Sequence, residues 1–163
     1  MKELLEKISS YNLFNYLLPG IIFVCLCKYF TGYDLILDND FIGAFLYYFI
    51  GMVISRFGSL IIEPVLKKIS FLKFADYKDF VMASKKDEKV ELLSEVNNTY
   101  RTITALFLIL LITKVYKYFQ VKLNISDCLT SLILIIVIFI LFLFSYRKQT
   151  NFITKRISTC NES

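Results

Sequence analysis

The chain has 163 residues, 56% of them hydrophobic, with 16 Phe, 11 Tyr and a net charge of +5. A soluble domain of this size has too little interior to hide that much apolar surface. With no His in the sequence, His-based acid–base catalysis and His metal ligation are excluded.

The apolar residues come in charge-free blocks, 8–27, 41–55, 102–113 and 128–146. About 20 residues are needed to span a bilayer. The first and last blocks have that length. The second reaches it by tolerating Arg56 and continuing to Ile62, and the third by borrowing flanking residues. Four spans are therefore expected, at about 11–30, 41–62, 97–118 and 127–146.

The opening MKELLEKISS reads as a short amphipathic helix, with Leu4, Leu5 and Ile8 on one side, able to lie on a membrane surface. Two acids and two lysines in residues 1–7, and no small-residue cleavage pattern afterwards, argue against a signal peptide. In the first span Pro19 removes a backbone donor and Gly20 a side chain, so a kink is expected there. Such a break is tolerated in lipid where neighbours satisfy the freed carbonyl. The loop that follows carries Asp34, Asp38 and Asp40. The second span holds Gly51, Ser55, Gly58 and Ser59 at spacings that keep small residues on one side. Small residues so placed let two membrane helices approach closely. The contact is either internal or between subunits.

Pro64 closes the second span and opens the one sizeable non-membrane segment, 64–100. Within it, Ser84 followed by Asp87 predicts a helix start. That helix is expected to run unbroken into the third span. The fourth span contains LILIIVIFILFLF, thirteen residues without a polar side chain, and is expected on the lipid-facing rim.

Orientation follows from Lys and Arg. The N-terminal segment, 63–101 and the tail after 146 together hold fourteen, whereas the 28–40 and 114–127 connections hold four: Lys28, Lys114, Lys117 and Lys122. Both termini and the 64–100 segment are therefore expected in the cytoplasm. The fold class is an all-α membrane protein with four transmembrane helices and a small helical cytoplasmic segment.

No phosphate-binding glycine loop, nucleophile elbow or paired intramembrane carboxylate is present. Cys25, Cys27, Cys128 and Cys160 lack metal-ligand spacing. No enzyme, cofactor or metal site is expected. Arg56 is the exception to the apolar pattern, roughly 22 Å along its span from Phe41 at about 1.5 Å per residue. It either snorkels to the inner surface or faces protein as a gate or subunit contact, with Glu63, on an adjacent subunit, as the expected partner. Asp34, Asp38 and Asp40 read either as an ordinary hydrophilic loop or as an outer mouth that concentrates cations. Asn97, Asn98, Tyr100 and Arg101 are the best candidates for a regulatory ligand site, since amide, phenol and guanidinium groups there exceed what entering a membrane needs.

The stretches YNLFNYLLPG, SRFGSLIIEP and SEVNNTYRT resemble small bacterial membrane proteins of antiphage defence loci, in particular the membrane effector of Hailong-type systems. The resemblance covers about residues 11–114. It implies a homo-oligomeric, channel-like effector in the bacterial inner membrane. It also implies control by a cytoplasmic nucleotidyltransferase through a nucleic-acid or nucleotide product, with loss of membrane potential as the outcome. Apart from the resemblance, the residues suit a gated pore or a non-conducting anchor that docks a cytoplasmic protein through 64–100.

Overall fold

The computed structural model describes residues 11–161; the amphipathic helix expected at 1–10 lies outside them. The described residues are all-helical, and four helices are long and apolar enough to cross a membrane. They are α1 (Leu13–Thr31), α2 (Asp40–Lys68), α4 (Lys89–Lys122) and α5 (Asp127–Asn161), with the short α3 (Tyr77–Lys86) between α2 and α4.

Local chemistry sets the helix ends. Gly32 closes α1 in the left-handed region, φ 75°, and its N–H donates to the Lys28 carbonyl. A side chain would be strained in that conformation. Asn39 caps α2, its Oδ1 accepting from the Ile42 N–H at 3.1 Å. Glu88, not Ser84, holds the N-cap position of α4, and the preceding Asp87 carboxylate accepts from the Lys89 N–H at 2.9 Å. The expected start at Ser84 is therefore corrected. Ser84 lies inside α3, buried, with its hydroxyl donating to the Val81 carbonyl. The reason is competition: serine in a helix can donate to a preceding carbonyl and needs no cap role. From Lys89 the helix then runs unbroken through 34 residues.

α1 and α2 each contain a π-helical turn, at Leu13–Leu17 and Gly58–Ile62. In each, an N–H reaches back five residues, Leu18 to Leu13 and Glu63 to Gly58. Each is followed one residue later by proline, Pro19 and Pro64. A proline ring clashes with the carbonyl four residues back and offers no N–H. Widening the preceding turn relieves the clash without ending the helix. The break expected around Pro19 and Gly20 takes this form, displaced toward the N-terminus.

α1, α2 and α4 form the centre of the bundle, around Phe23, Val24, Cys27, Ile54, Ile62, Ala105, Leu106 and Leu110. α1 and α2 approach closely because Gly20 and Gly51 face backbone. A Cβ on Gly20 would meet the Tyr47 carbonyl oxygen at 1.8 Å, and one on Gly51 the Tyr16 oxygen at 1.7 Å. α5 is peripheral. Only 11% of its apolar window is buried, against 33% for α1 and α2. It rests on α2, where Phe49 and Phe142 stack at 5.9 Å.

Candidate functional site

Polar side chains gather in two layers, one near each end of the bundle. In the first layer Gln120, buried on α4, has its amide fully used. Its oxygen accepts from the Tyr33 hydroxyl and from Lys117 Nζ; its nitrogen donates to Asp127 Oδ1 at 3.0 Å and Thr130 Oγ1 at 3.2 Å. This ties the segment after α1 to α4 and to the start of α5. Asp34, Asp38 and Asp40 are exposed near this end. Lys28 Nζ lies 2.8 Å from Asp34. The ammonium's hydrogen bond holds the Asp34 carboxyl below its ordinary range.

The second layer is richer. Asn15, Ser55 and Thr102, one each from α1, α2 and α4, are fully buried. Thr102 Oγ1 sits 2.8 Å from Asn15 Oδ1, 2.9 Å from the Asn98 carbonyl and 3.2 Å from Ser55 Oγ. The Asn15 amide nitrogen donates to the Tyr11 hydroxyl at 3.2 Å and reaches Ser55 Oγ at 3.5 Å. The π turn in α1 carries Asn15 into this junction. Interhelical hydrogen bonds of this kind in membranes average about 0.6 kcal/mol and reach about 1.7. Thr102→Val keeps the shape and removes the hydroxyl, so a loss of about 1 kcal/mol in unfolding free energy is expected, with Thr102→Ser near wild type. Denaturation in mixed detergent micelles measures it.

Arg56, half-buried, donates from Nη2 to the Tyr16 hydroxyl at 3.1 Å, and Tyr16 packs edge-on against Tyr48. Glu63 is engaged elsewhere in the same chain. Arg101 Nη1 lies 2.8 Å from its Oε2, Lys67 Nζ 2.9 Å from its Oε1, and Lys148 Nζ 3.9 Å from the same oxygen. Within the chain Arg56 and Glu63 thus have separate partners, as their spacing along α2 requires. The neighbouring α4 presents Arg101 to Glu63, while α1 offers Arg56 a phenol.

Lys148 has a second role that the sequence did not advertise. Its ammonium donates to both the carbonyl and the hydroxyl of Ser59, each at 2.7 Å. Ser59 lies in the π turn, and the residue five positions on is Pro64, which has no N–H. The carbonyl so orphaned would be costly to bury unpaired. Lys148 satisfies it from α5, and so fastens the peripheral helix to the centre.

The small residues divide by role. Gly51 meets α1 backbone, Ser55 joins the buried triad, Ser59 takes Lys148, and Gly58 leaves room for α4, where a Cβ would stand 3.2 Å from Ala105 and Arg101. Every one of these contacts is within the chain. Of the expected ligand residues, Asn97, Tyr100 and Arg101 line one cavity of about 150 Å³, together with Glu63 and the apolar Leu66, Phe71 and Phe74. Asn98 does not line it; its carbonyl serves Thr102. Among the described residues no cluster of His, Cys, Asp or Glu can hold a metal ion.

Neither a family model, nor a curated protein, nor a solved structure matches this chain. The class rests on fold and site: among the described residues, four helices able to cross a membrane, with buried polar groups where three of them meet and partly buried charged groups beside them.

Proposed function

We propose that this chain is a subunit of an oligomeric, gated membrane pore, multi-pass in the bacterial inner membrane with both termini and 64–100 in the cytoplasm. The observation that carries the proposal is the polar seam of Asn15, Ser55, Thr102 and Arg56 inside helices long enough to span, with the Glu63 cluster beyond it at the end of the seam. Polar and ionisable groups at membrane depth are expensive and mark ion paths or switches by default. The unbroken α4 supplies the mechanical link from a cytoplasmic signal to that seam. Four helices are too few to enclose a conducting path, so the pore is shared between copies. Control by a nucleotidyltransferase product, and the defence setting, rest on the resemblance of the three quoted stretches.

A non-conducting anchor is the second reading, favoured by Phe71, Leu92 and Leu93, all more than half exposed outside the apolar blocks. Ion flux from liposomes holding the purified protein separates the two. A pore gives flux that Arg56→Gln changes at least several-fold at equal incorporation, because the charge lies in the seam. An anchor gives flux from neither protein.

A further inference from the structure

Glu63 is one carboxylate facing three cations, Lys67, Arg101 and Lys148. The cluster is therefore short of negative charge. Arg101 Nε–H is buried and has no hydrogen-bond acceptor among the described residues. A buried donor without a partner costs free energy, more so on a charged group. Glu63 and Arg101 line one cavity, whose other wall is apolar: Ile62, Leu66, Phe71, Leu72 and Phe74.

The cavity also has a definite depth. At about 1.5 Å per residue, Glu63 lies roughly 35 Å along α2 from Asp40, and Asn97 about as far along α4 from Gln120. A hydrocarbon core is about 30 Å thick, so a modestly tilted helix puts both residues at headgroup level. Beyond them Ile69 and Phe71 are exposed between Lys67, Lys68 and Lys73, an alternation of apolar and basic groups that suits an anionic interface.

We infer that this cavity binds one anionic phospholipid, its phosphate received by Arg101 in the wall and by Lys67 at the edge, where its Nζ lies 4.0 Å from the Phe74 ring, and the start of its acyl chain lying on Leu66, Phe71 and Phe74. A cation is disfavoured by the surplus positive charge, and a zwitterionic lipid brings no net charge to offset it. The inference rests on the helices crossing a membrane, as proposed above, and not on conduction.

The test is native mass spectrometry of the full chain, purified and exchanged into equimolar phosphatidylglycerol and phosphatidylcholine. Wild type is expected to retain the anionic lipid about tenfold over the neutral one, the size of one charge-assisted hydrogen bond. Arg101→Gln and Thr104→Phe should bring the ratio near parity, the first by removing the guanidinium and the second by filling the mouth from an exposed helix position. Lys85→Gln, outside the cavity, should keep it. Circular dichroism checks that each variant folds, and Thr104→Phe carries the test if Arg101→Gln does not. Equal retention of both lipids by wild type, or a preference unchanged in Thr104→Phe, would overturn the inference. So would displacement of the lipid by millimolar glycerol 3-phosphate, which would assign the site to soluble phosphates. Anionic preference without ion flux would keep this inference and remove the pore.

Discussion

Gly51→Ala is expected to separate α1 from α2 and to cost about 3 kcal/mol or more of unfolding free energy, at the upper end of what overpacking usually does. The added methyl would stand 1.7 Å from the Tyr16 carbonyl oxygen, which belongs to backbone and cannot rotate away. Close approach between membrane helices depends on such positions, because lipid offers no hydrophobic drive to hold helices together at a distance. Gly20 faces Tyr47 in the same manner at 1.8 Å, so Gly20→Ala should behave alike. Gly43 is the control. Its nearest neighbours are side-chain atoms of Tyr47 at 3.3 Å, which can give way, and Gly43→Ala should cost less than about 1 kcal/mol. Unfolding in mixed micelles ranks the three. Equal effects at Gly43 and Gly51 would contradict the contact.

Glu63→Ala is the second large effect, about 3 kcal/mol. Removing one partner of a largely buried ion pair leaves the other charge uncompensated. Here it would leave Arg101 and Lys148 facing each other across a gap, with their side chains only 17% and 26% exposed. Lys67→Ala should cost less than about 0.5 kcal/mol, since Lys67 is 43% exposed and its pairing is a surface one. A double-mutant cycle with Glu63→Gln and Arg101→Gln reads the coupling directly. Additivity of the two single losses would show that the pair contributes nothing beyond its separate members.

Much of the fold was legible from block length and residue size. Charge-free runs gave the four long helices, and the spacing of Gly51, Ser55, Gly58 and Ser59 marked the packed side of α2. Whether that packing was internal was not legible, because the partner, Gly20 with the Tyr16 carbonyl, lies on another helix. The two π turns were missed, although the sequence carried a sign of them. Pro19 sits inside an apolar run that continues past it, and a helix that survives proline needs a widened turn; Pro64, read as the close of the second span, instead lies within α2, which runs on to Lys68. Arg56 drew attention as a charge in an apolar run, yet its partner Tyr16 is one of eleven tyrosines. Thr102 and Lys148 were invisible for a different reason. A threonine at the edge of a span and a lysine just past another are ordinary in a membrane sequence, and only the third dimension brings one to Asn15 and the other to the Ser59 carbonyl.

The central claim is a regulated pore, and membrane potential tests it most directly. Cells expressing the chain, alone and then with its genomic neighbour, are followed with a voltage-sensitive dye, with and without phage challenge. The expected result is depolarisation in at least one condition, altered by the neighbour and by Arg56→Gln. A potential that stays unchanged in every condition, with the protein confirmed in the membrane, would contradict the pore.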